Sequence, residues 1–93
     1  MYSLEELTTE LEKVERDIVR KQERLEKAEA KHAEAIVIDN QKSTVLTRSD
    51  VVTTEAEVVI LKSKLWRLND RKKTLEKWIE IEKEKQGPQP GDE

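Results

Sequence analysis

Two apolar stripes run through this chain at alternating three- and four-residue steps, in different phases, and that phase break constrains the fold most. Leu4, Leu7, Leu11, Val14, Ile18, Lys21, Leu25, Ala28, His32 and Ala35 form the first stripe, the a and d seam of a coiled coil. Val51, Thr54, Val58, Leu61, Leu65, Leu68, Lys72, Leu75 and Ile79 form the second. If the first phase continued, Asp39, Leu46 and Thr53 would take its a positions, whereas the second stripe starts at Val51. The phase breaks between Ile36 and Asp50, so two helices are specified rather than one.

Charged residues make up 42% of the chain and hydrophobic ones 34%, a balance suited to long solvated helices rather than a globule. Disorder competes for so polar a composition, but a disordered chain has no reason to sustain heptads. In 93 residues two helices enclose no interior of their own. The expected fold is therefore all-α: an antiparallel two-helix coiled-coil hairpin that assembles into a four-helix bundle or a higher homo-oligomer.

Local signals set the boundaries. Ser3 with Glu6 three residues on reads as a capping box, and glutamates follow it near the positive end of the helix dipole. The first helix is expected over about 3–37. Ile36-Val37-Ile38 is a β-branched triplet and Asp39-Asn40-Gln41-Lys42-Ser43 favours local side-chain bonds, which places the turn at about 38–44. A second helix over about 45–86 is capped by Ser43-Thr44 or by Thr47. A short β-hairpin pairing residues 35–38 with 44–47 is the alternative at the tip, and a domain-swapped dimer of straightened helices is the alternative to the hairpin. Gly87-Pro88-Gln89-Pro90-Gly91 ends the second helix, and 87–93 reads as a disordered tail.

Charge suggests how the arms align. With Leu4 facing Leu75, Leu11 facing Leu68 and Ile18 facing Leu61, the flanking pairs are all of opposite sign. They are Glu10 with Arg71, Asp17 with Lys64, Arg24 with Glu57, Lys31 with Asp50, Glu15 with Lys62 and Glu29 with Arg48. Sliding by one heptad brings Arg24 against Lys64 and Glu29 against Glu55. The first alignment is therefore expected, with the second helix overhanging the first and leaving Leu75, Trp78, Ile79 and Ile81 thinly covered.

Val45, Val52, Val59 and Trp66 recur every seven residues at the b position, outside the seam, with Ile60 beside them. Ile36 and Val37 also lie off the seam. A two-helix coil cannot bury such a stripe, so these residues are the expected interface with another copy or another protein. Trp78 and Ile79 at the opposite end form a second candidate handle, since interface hot spots favour Trp.

Chemistry-bearing motifs are missing. His32 is the single histidine and the chain has no cysteine, which provides neither a metal site nor a disulfide framework. No Gly-rich phosphate loop and no nucleophile with a base at helical spacing occur, so no cofactor, small-molecule substrate or enzymatic activity is expected. Lys64, Arg67 and Lys73 belong to a basic run that could touch nucleic acid, but the net charge of −3 and the scatter of those residues around the helix weigh against it. There is no secretory signal or membrane-length apolar run, which makes a cytoplasmic location the default. The expected role is a structural, scaffolding or adaptor one through self-association and protein contacts. The alternative is a small inhibitor or accessory factor that docks on a larger enzyme or nucleic-acid machine.

Overall fold

The computed structural model describes residues 2–86 and contains two helices, α1 (Leu4–Lys42) and α2 (Val45–Gln86), packed side by side as a hairpin. It measures 74 × 21 × 15 Å, one helix thick in its shortest direction. The tail over 87–93 lies outside the described residues.

The start of α1 is a reciprocal capping box. The Glu6 amide donates to Ser3 Oγ (3.1 Å) and the Ser3 amide donates to Glu6 Oε1 (3.2 Å), satisfying two of the free donors at the helix end. The backbone bond from Ser3, then its side chain, holds the Glu6 carboxyl below its ordinary value of 4.5.

The tip differs from the sequence expectation. Where a turn was expected over 38–44, α1 continues through Ile38 to Lys42 and only Ser43 and Thr44 connect the arms. The β-hairpin alternative does not form, and residues 35–38 and 45–47 are helical. Weak helix formers such as Asp and Asn cost only a few tenths of a kcal/mol each, and no Gly or Pro stands in their way. Asp39 compensates by joining the seam: its Oδ1 accepts a 2.7 Å hydrogen bond from the buried Thr47 hydroxyl. Ser43 turns the chain in the left-handed region (φ 49°, ψ 43°), with its amide donating to the Asp39 carbonyl at 2.7 Å. Thr44 then caps α2. The Thr47 amide donates to Thr44 Oγ1 (3.1 Å) and the Thr44 amide donates to Thr47 Oγ1 (2.9 Å), a capping box with threonine in the glutamate's place.

This tip moves the alignment one heptad from the charge-based expectation. His32 Nδ1 meets Thr54 Oγ1 at 2.8 Å, Asp39 meets Thr47, and Ala28 packs with Val58 and Leu61. Heptad steps from these layers put Leu25 level with Leu61, Ile18 level with Leu68 and Leu11 level with Leu75. Leu4 is thus not opposite Leu75. The base is covered as a result: Leu7, Leu75 and Ile79 are buried in one cluster with Val14, Ile18 and Leu65.

Magnitudes explain which term wins. Six exposed ion pairs at roughly 0.3–0.5 kcal/mol each amount to about 2–3 kcal/mol. Burying Ile79, which the charge-based alignment leaves without an opposite residue, contributes about 1.5–3 kcal/mol, before the fuller cover of Leu75, the cap and the Asp39–Thr47 layer are added. Of the expected pairs, Glu10–Arg71 survives the slide through the reach of the arginine (3.4 Å). Lys62 bonds Glu29 (3.9 Å) instead of Glu15, and Glu15 takes the seam residue Lys72 (3.5 Å). Asp17 pairs within its own helix, with Arg20.

Candidate interaction surfaces

The thin hairpin has two broad faces, each marked by an ion pair across the arms. Glu29–Lys62 bridges one face and Glu10–Arg71 the other. Helical periodicity assigns the remaining positions, because residues seven apart share a face.

The valine stripe lies on the Glu29–Lys62 face and is wet along its whole length. Val45 is 85% exposed, Val52 65%, Val59 59% and Trp66 70%. Ile36 and Val37 of α1 are also exposed, at the tip end of the same region, and Leu46 is uncovered beside Val45. Among the described residues none covers the stripe. It is a ridge rather than a pocket.

Ile60 is exposed on the opposite face, in the floor of a groove of about 560 Å³ between the arms. Ala28, Ala56 and Leu61 complete that floor, and Arg24, Lys27, Lys31 and Lys64 stand around it with Glu57 as the acid among them. Sequence reasoning missed this groove because it depends on the alignment. The approach of Arg24 to Lys64 counted against this alignment on local electrostatics, yet both residues line one groove. A local conflict tolerated by the fold was the available signal.

The three cations considered for nucleic acid do not come together. Lys64 and Arg67 share a smaller cleft with Asp17, Lys21 and Leu68, whereas Lys73 lies half a helical turn away on the ridge face.

At the base, Tyr2, Leu7, Trp78, Ile81, Glu82 and Lys85 line a cleft of about 360 Å³. Trp78, Ile81 and Tyr2 are exposed there, with Tyr2 and Trp78 as two of the cleft walls. Ile79, expected beside Trp78 as an interface residue, is instead buried in the seam, because the one-heptad slide sets it against Leu7.

The seam holds one imidazole. His32 Nδ1 and Thr54 Oγ1 are hydrogen-bonded at 2.8 Å, and the Thr54 hydroxyl also lies 2.8 Å from the Asp50 carbonyl. Among the described residues no group of three or more His, Cys, Asp or Glu is placed to hold a metal ion, and no helix is long and apolar enough to cross a membrane. Comparison of the chain with protein-family models, with curated proteins and with solved structures finds no match.

Proposed function

We propose that this chain is a non-enzymatic structural or adaptor hairpin that works by self-association, using the ridge of Val45, Val52, Val59 and Trp66. The observation that carries this reading is the exposure of four large apolar side chains in line on one face, more than half of each reaching solvent. Isolated exposed apolar residues are ordinary on a protein surface, but a contiguous row of them is not. A four-helix bundle or a higher assembly would cover the row and supply the second layer that a two-helix hairpin lacks.

Light scattering across a concentration series tests the proposal. The parent chain should exceed its 10.9 kDa monomer mass, and Val59→Asp should return it to that mass with its helices intact by circular dichroism. A parent that stays monomeric at high concentration removes the proposal.

The cleft at the base favours a second reading, in which the chain is an accessory factor docking on a larger protein. Trp78, Tyr2 and Ile81 offer the aromatic and aliphatic anchor that such contacts use. That reading expects Trp78→Ala to abolish capture of a host protein while leaving the mass of the chain unchanged.

A further inference from the structure

The two sides of α1 carry opposite charge through its middle. Glu12, Glu15, Glu26 and Glu29 turn toward the ridge face, where Glu29 meets Lys62. Arg20, Arg24, Lys27 and Lys31 turn toward the groove face. Arg24, Lys27, Lys31 and Lys64 make no ion pair with any described residue. Four cations stand around an apolar floor with Glu57 as the one acid lining it, so the groove carries an excess of positive charge.

We propose that copies of this hairpin pack front to back, the valine ridge and acidic α1 flank of one chain seated over the basic groove of the next. This rests on the self-association reading above and adds the identity of the second surface. Charge complementarity points to the partner. Ridge against ridge would leave both basic grooves uncovered, and with α1 over α1 it would bring two glutamate flanks together. Ridge against groove sets Glu26 and Glu29 near Arg24, Lys27 and Lys31, and lays the valines over Ala56 and Ile60.

The row of Val45, Val52, Val59 and Trp66, each more than half exposed, supplies an apolar centre for such a contact. Two different surfaces on each chain make the contact heterologous, so the assembly is open-ended unless a rotation closes it into a ring.

Complementation between two variants tests the front-to-back contact. One breaks the groove (Lys27→Glu with Lys31→Glu) and the other breaks the ridge (Val52→Asp with Val59→Asp). All four side chains are exposed, and circular dichroism serves to check that each variant is folded. Each alone should be monomeric by light scattering. An equimolar mixture should form one-to-one heterodimers and grow no further, because the intact groove of one accepts the intact ridge of the other. Raising salt from ~0.05 to ~0.5 M should shift the parent's association midpoint upward by about tenfold, as screened charge pairs require. A groove variant that associates like the parent would overturn the front-to-back contact and leave self-association standing. Two monomeric variants that fail to combine, while the parent associates, would overturn it equally. A parent that never associates would remove both readings.

Discussion

Three residues at the ends of α1 and α2 carry measurable consequences. Ser43 occupies the left-handed region with a β-carbon, which costs about 1 kcal/mol relative to glycine. Ser43→Gly should therefore stabilise the hairpin by about 0.5–1 kcal/mol in thermal or urea unfolding, and destabilisation would mean that the Ser43 hydroxyl bond to the Asp39 carbonyl (3.1 Å) outweighs the strain. Thr47 joins the cap of α2 to the Asp39 layer with one buried hydroxyl. Thr47→Val keeps the shape, strands the Asp39 carboxylate and removes the reciprocal cap, so unfolding should show a loss of about 1–3 kcal/mol. At the other end, Glu6 has a lowered carboxyl pKa because the ionised form accepts from Ser3. Its contribution to stability is complete above 4.5 and is lost as pH falls through the lowered folded value. In an NMR titration of the Glu6 carboxyl carbon, Ser3→Ala should move the midpoint up toward 4.5. A parent midpoint already at 4.5 would show that the box is open in solution.

Both helices and their seam residues were legible as elements, because heptad spacing reports which side of a helix meets its partner regardless of where that partner sits. Every expected seam position from Leu4 to Ala35 and from Val51 to Ile79 is buried or half-buried. The alignment of the two seams was not legible from charge. Heptad periodicity leaves any slide of seven residues equally well patterned, and ion pairs of a few tenths of a kcal/mol are too weak to choose among slides. The choice is made at the tip, by the Ser43 turn and the Thr44–Thr47 cap, whose geometry depends on α1 running through a segment of poor helix formers. The ridge was legible because it needs only the phase of α2, whereas the basic groove was hidden because it needs the alignment. Paired cysteines check the alignment directly. In dilute oxidised solution His32→Cys with Thr54→Cys should close an intrachain disulfide, since those side chains already meet. Leu25→Cys with Thr54→Cys, the pairing the charge-based alignment demands, should stay reduced. The reverse pattern would shift the arms back by one heptad.

At the scale of the whole molecule, shape and surface bear on stability, and the proposed self-association makes that stability depend on concentration. A compact chain of this length has a radius of gyration of about 12 Å, whereas the hairpin has 21.1 Å. Its accessible surface is 7367 Å², against roughly 5,600 Å² for a globular monomer of the same mass. A layer one helix thick can bury only the seam, and that seam spends positions on Lys21, His32, Asp39, Thr47, Thr54 and Lys72. The folded monomer is accordingly close to marginal, and under the proposed self-association further copies packed on the ridge would supply the missing burial. Mass action would then couple folding to association, because on that proposal copies bind the folded chain and not the unfolded one. The melting temperature of the parent should rise with protein concentration, by several degrees over a hundredfold range. Val59→Asp, exposed and outside the seam, should melt at a temperature independent of concentration and close to the dilute limit of the parent. Calorimetry at three concentrations decides the matter. A parent whose melting temperature is flat across that range draws its stability from one chain alone, and the ridge then has no part in holding the fold together.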